Sequence, residues 1–142
     1  PGIGEVKMVT DVQKKALIEA ACAARENAYA PYSKYMVGAA ILVEDGRVFT
    51  GVNVENVSFG LSICAERTAV FKAVSEGYRK ILAVAICTAT AGSPCGACRQ
   101  VLFEFGGDIP VWYTDTKGTV IESSLHYLIP DCFEPGHLDF VE

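Results

Sequence analysis

Cys64-Ala65-Glu66-Arg67-Thr68-Ala69 is followed, thirty-one positions after Cys64, by Pro94-Cys95-Gly96-Ala97-Cys98. Each stretch reads as the opening turn of a helix reached from a β-strand. In Cys-x-x-Cys at a helix start, the two sulfurs stand one turn apart and can face one ion. With Cys64 added, three thiolates can close on one zinc. Three protein ligands leave a tetrahedral zinc with one open position, which water can fill and where its pKa falls toward neutrality. Glu66, two residues from the first sulfur, is placed to handle that proton. Both helix N-termini favour thiolate over thiol.

Other readings of these cysteines stay open from spacing alone. A structural zinc needs a fourth protein ligand, for which Cys22, Cys87, Cys132, His126 and His137 are the candidates; none has paired spacing with another. A redox Cys-x-x-Cys needs neither a third thiol nor the nearby carboxylate. Glu66 alone is also explained by a favourable interaction with a helix dipole; with the three sulfurs, the catalytic reading is preferred. Three thiolates overcompensate a divalent ion. Arg67 is either the neutralising charge beside them or a surface arginine of the helix.

Outward from these motifs, strands and helices alternate. Thr10-Asp11-Val12-Gln13 reads as a capping box opening a helix to about Ala28, with Leu17, Ala20, Ala21 and Ala24 at helical spacing and Pro31 beyond. Its alanines suit close packing on a sheet or on another subunit. Runs 37–43 and 48–54 flank the turn signal Asp45-Gly46 and form a hairpin. A helix from near Cys64 to Glu76 is stopped by Gly77. Ile81 to Thr88 is nearly all apolar, as expected of a central strand covered on both faces. A third helix runs from Cys95 to about Phe105, then strands at 111–114 and 119–121 and a short helix near 124–128. The order gives an α/β fold, a mixed sheet with helices on both faces.

The chain has 142 residues, 51% of them hydrophobic, and a formal net charge of −5. This suits one domain spanning 1–142, with 1–10 as a flexible, processed or added end. No basic face for a nucleic acid is evident, and no segment is long and apolar enough to span a membrane. No signal peptide is visible, so the six cysteines point to a reducing cytoplasm rather than a disulfide framework. Cys22, Cys87 and Cys132 are expected as small core or interface residues.

The two cysteine stretches, with Pro31-Tyr32-Ser33-Lys34-Tyr35-Met36-Val37-Gly38, Asn53-Val54-Glu55-Asn56, Arg99-Gln100 and Leu128-Ile129-Pro130 in the same order, resemble cytidine deaminase of the small homotetrameric type. The resemblance covers nearly all of the chain after Asp11. It implies a three-layer α/β/α fold around a mixed five-stranded sheet. It implies one Zn²⁺ per subunit, on Cys64, Cys95 and Cys98, with Glu66 as proton shuttle. The implied reaction is hydrolysis of cytidine and 2′-deoxycytidine to uracil nucleosides and ammonia. Asn53 and Glu55 would hold the ribose hydroxyls, and the Ala65 N–H would meet the base carbonyl. Tyr35 and Phe59 would wall the base, and Phe133 would reach in from a neighbouring subunit. Tyr35 stands where the family has Phe, so its hydroxyl needs a partner. The same chemistry on a nucleoside antibiotic or on cytosine in a polynucleotide is one alternative. A non-catalytic, zinc-stabilised nucleoside-binding module is the other.

Overall fold

The computed structural model describes residues 9–138. Helix α1 (Asp11–Arg25) is followed by strands β1 (Gly38–Val43) and β2 (Val48–Val52), helix α2 (Ala65–Ser75), strand β3 (Ile81–Cys87), helix α3 (Gly96–Gly106), strands β4 (Pro110–Thr114) and β5 (Val120–Ser124) and the short helix α4 (Leu125–Leu128). The five strands form one sheet in the order β2-β1-β3-β4-β5.

The expected capping box is formed. Thr10 Oγ1 accepts from the Gln13 backbone N–H at 3.1 Å, and Gln13 Oε1 accepts from the Thr10 N–H at 3.0 Å. The end of the stretch expected to be flexible is thus tied in, since Thr10 caps α1 and Val9 packs against the core. Residues 1–8, the rest of that stretch, lie outside the described residues.

The sheet separates two apolar layers. On one face α1 lies on Ala40, Leu42, Ala83 and Ala85 through Leu17 and Ala21. Small side chains on both surfaces bring the helix in close; a Cβ at Gly38 would stand 2.1 Å from the Ala21 carbonyl oxygen. The other face, through Ile41, Val84, Ile86 and Val111, packs against Ala69, Val70 and Leu102 of α2 and α3. The structure is the expected three-layer α/β/α arrangement around a mixed sheet.

Strand direction places the site. β1 pairs antiparallel with both β2 and β3, so β2 and β3 run the same way, and β3 pairs parallel with β4. Two crossovers, β2-α2-β3 and β3-α3-β4, therefore lie on one face and begin at the same edge, the carboxyl ends of parallel strands. In open α/β sheets that edge is where ligands bind. Cys64 and Cys95 are the N-cap residues of α2 and α3. The edge brings them together from sequence positions far apart.

α1 ends at Arg25, short of the expected Ala28, because the chain beyond it is recruited elsewhere. The Tyr29 N–H donates to the Asn53 carbonyl at 3.0 Å, and the Glu55 N–H donates to the Tyr29 carbonyl at 2.9 Å. This parallel bridge between Tyr29 and Val54 competes with another helical turn.

Candidate active site

The Sγ atoms of Cys64, Cys95 and Cys98 all lie within 4.8 Å of one another, and Cys64 and Cys95 Sγ are 3.9 Å apart. Tetrahedral zinc with Zn–S bonds of about 2.3 Å needs sulfurs about 3.8 Å apart. The donor set and its spacing fit zinc. Cys95 supplies the N-cap sulfur of α3 and Cys98 the sulfur one turn later, fully buried. Among the described residues this is the one cluster of three or more metal-ligating side chains drawn so close together.

Arg67 faces the sulfurs rather than solvent. Its Nη2 donates to Cys64 Sγ at 3.3 Å, and its Nε is buried with no hydrogen-bond partner among the described residues. That contact holds the guanidinium firmly protonated. The Cys64 thiol is lowered to about 5, first by its hydrogen bond with Cys98, then by hydrogen bonding and charge from Arg67. Cys98 moves the other way, raised by that same shared hydrogen bond and by burial. Three sulfur donors this close, with a cation beside them, are the donor set that a divalent metal ion would draw together.

Glu66 is 4% exposed, on the first turn of α2. Burial foremost, with the Cys64 charge adding, raises its carboxyl to about 7. A carboxyl there gives and takes protons readily at neutral pH.

Cys64, Cys95 and Glu66 border a cleft of about 330 Å³, within the roughly 300–1,000 Å³ usual for small-molecule sites. Of the residues singled out from sequence, Tyr35, Asn53, Glu55, Cys64, Ala65, Glu66 and Cys95 line it. Ala65 is the first residue of α2, so its N–H has no partner within the helix. Cys98 and Arg67 sit behind this lining.

Asn53 and Glu55 face the cleft while already holding its wall. Asn53 Oδ1 accepts from the Val37 N–H at 2.9 Å, and its Nδ2 donates to the Tyr35 carbonyl at 2.7 Å. The Glu55 carboxylate accepts from the backbone N–H groups of Tyr32 and Ser33 and from the Ser33 hydroxyl. These bonds, the Ser33 hydroxyl first, keep Glu55 ionised below the usual carboxylate range.

The two remaining aromatics lie outside the cleft. Phe59, expected to wall the base, is 73% exposed and meets Tyr32 edge-on, with centroids 5.9 Å apart. Phe133 is 57% exposed and stacks on His137 in the tail. Gln100 Nε2 donates to the Phe133 carbonyl at 2.8 Å, which fixes that part of the tail to α3.

Sequence reasoning missed Arg99, Thr88 and Gly92. Arg99 Nε donates to the Pro94 carbonyl at 2.7 Å and Nη1 to the Leu128 carbonyl at 2.7 Å, so it braces the residue before Cys95. The signal was present in Cys98-Arg99-Gln100, where a cation follows the last sulfur. Thr88 and Gly92 carry no motif. Of the other cysteines, Cys87 is buried on the α1 side with Cys22 Sγ 2.7 Å away, and burial foremost raises its thiol to about 12. Cys132 is half-buried in the tail.

The profile of the cytidine and deoxycytidylate deaminase zinc-binding region matches residues 11–114. The chain is 49% identical over 133 residues to a cytidine deaminase of Sporosarcina psychrophila, covering 92% of this chain and 96% of that protein. It is 46% identical over 125 residues to a cytidine deaminase of Halalkalibacterium halodurans, covering 86% and 95%. The crystal structure of cytidine deaminase from Burkholderia pseudomallei superposes with a TM-score of 0.80 at 53% identity, covering 84% of this chain and 98% of that one.

Proposed function

The chain belongs to the cytidine and deoxycytidylate deaminase family, and from that premise we propose that it hydrolyses cytidine and 2′-deoxycytidine to the uracil nucleosides with release of ammonia. The observation that carries this reading is the buried Glu66 beside three converging sulfurs, at the head of a cleft of nucleoside size.

Cys64, Cys95 and Cys98 would hold the zinc ion, which when bound would supply Lewis acidity toward the attacking water. The chain's own residues do the rest. Glu66 takes a proton from that water and gives it to N3 of the ring as C4 becomes tetrahedral. It then takes the remaining proton from the new C4 hydroxyl and passes it to the departing amine, so that the C4–N bond breaks, ammonia leaves and the C4 carbonyl forms. A carboxyl raised to about 7 suits both transfers. Arg67 offsets part of the thiolate charge. The Ala65 N–H meets the base carbonyl, Tyr35 borders the base, and Asn53 and Glu55 hold the sugar hydroxyls.

Phe133 fits the remaining role, closing the base site of a neighbouring subunit in a homotetramer. A single domain acting on free nucleosides in the cytoplasm, in pyrimidine salvage, accords with the net charge of −5. Among the described residues no helix is long and apolar enough to cross a membrane.

Ultraviolet-monitored conversion of cytidine by the zinc-loaded protein, with Glu66→Ala beside it, tests the reading. The expected result is turnover by the parent and a loss of at least about 10²–10⁴-fold in the variant, with zinc retained. Equal turnover by the variant removes Glu66 as proton shuttle. An inert, zinc-replete parent removes cytidine as substrate.

A further inference from the structure

The hydroxyl of Tyr35 has a partner across the cleft. Its oxygen lies 3.2 Å from Thr90 Oγ1, fifty-five residues away in sequence. Tyr35 belongs to the segment between α1 and β1. Thr90 belongs to the loop that runs from β3 to Cys95. Tyr35, Gly92 and Ser93 line the same cleft.

Both segments are braced from behind. Thr88 Oγ1 accepts from the N–H groups of Thr90, at 3.3 Å, and Gly92, at 2.8 Å. On the other side, Asn53 holds the Tyr35 carbonyl and the Val37 N–H. The hydroxyl contact is therefore a tie between two ordered walls.

Gly92 makes the tie possible. A Cβ at 92 would stand 2.6 Å from the Tyr35 hydroxyl oxygen, but 3.8 Å, an ordinary contact, from the ring carbon that carries it. The clash is with the hydroxyl alone. Without that hydroxyl, the space at 92 would admit a methyl group.

We propose that Tyr35, acting through Thr90, is a positioning residue that sets the separation of the two cleft walls and so the fit of the flat base, and that Gly92 is its complement, kept bare to admit the hydroxyl. This rests on reading the cleft as a nucleoside site. A phenylalanine at 35 fills the same space and leaves the walls untied.

The test uses the zinc-loaded protein and Tyr35→Phe, Thr90→Val, their double variant, Gly92→Ala, and Gly92→Ala combined with Tyr35→Phe. Steady-state kinetics with cytidine are read beside amide hydrogen exchange over 88–93, which requires no turnover. Loss of one neutral hydrogen bond predicts that Tyr35→Phe and Thr90→Val each raise KM about three- to tenfold, with kcat changed less than about twofold. The double variant is no worse than either single one, and exchange over 88–93 quickens in all three. Gly92→Ala raises KM further, and adding Tyr35→Phe recovers part of that loss. Additive effects of Tyr35→Phe and Thr90→Val, unchanged exchange in Tyr35→Phe, or a Gly92→Ala defect that Tyr35→Phe deepens would each overturn the proposal. A parent inert toward cytidine overturns the nucleoside reading of the cleft, and the exchange data still decide whether Tyr35 and Thr90 are tied.

Discussion

Gly51 of β2 and Ala65 of α2 meet backbone to backbone: a Cβ at 51 would stand 2.4 Å from the Ala65 carbonyl oxygen and 2.5 Å from the Ala69 nitrogen. Ala65 lies between Cys64 and Glu66, so this seat sets the height of a sulfur and a carboxyl above the sheet. Gly51→Ala is expected to lift the first turn of α2, at about 3 kcal/mol of stability or more, because the contact atoms are backbone and cannot rotate away. Denaturant unfolding and zinc content should fall together. Gly96→Ala, where a Cβ meets nothing within 4 Å, is the control and should hold or gain stability.

The 3.3 Å contact from Arg67 to Cys64 gives a second prediction. Arg67→Gln removes the cation that offsets the sulfur charge and should weaken zinc retention by about 10–100-fold, the usual effect of losing a partner of a metal ligand. Competition against a chromogenic chelator measures it. Retention equal to the parent's would return Arg67 to the role of an ordinary helix arginine.

Phe133 should act on a partner's site. Phe133→Ala is expected to lower kcat/KM roughly tenfold or more, as for loss of an aromatic that stacks on a base. Mixing it with Glu66→Ala under conditions that exchange subunits should restore activity, because some sites then combine an intact Glu66 with an intact Phe133. No recovery from a mixture shown to contain hybrid oligomers would mean that Phe133 serves its own chain or none.

Glu122 predicts a pH dependence of stability. Its Oε1 accepts from Trp112 Nε1 at 2.9 Å and from Lys14 Nζ at 3.0 Å, and these bonds, the indole first, lower its pKa from 4.5. A carboxyl whose pKa is lower folded than unfolded stabilises the fold above its unfolded value, and that contribution is lost as pH falls through the folded one. Glu122→Gln should therefore melt below the parent at pH 7, with a modest gap because the site is exposed, and the gap should narrow below pH 4.5. A gap constant with pH would assign the effect to packing instead.

What could be read in the chain beforehand follows from range. Local signals were reliable: the Thr10–Gln13 box formed, the apolar Ile81–Cys87 run became the central strand, and both cysteine motifs opened helices. Features set by distant partners were not visible. The sequence placed β5 at 119–121, but its pairing with β4 carries it through Ser124. A glycine in a strand does not say which helix will lie on it, as at Gly38 and Gly51. The partner of the Tyr35 hydroxyl came from a loop that carries no motif. Asn53 and Glu55 were singled out for ligand contact, and nothing in Asn-Val-Glu-Asn announced that both also hold the 32–37 wall.

Cys64 and Cys95 reach one another only when two crossovers on the same face of the sheet have both closed. Half-folded chains, with one crossover docked and the other loose, offer the ion at most part of its ligand set. Metal content in a purified batch therefore reports, for chains with an intact ligand set, whether both crossovers have docked.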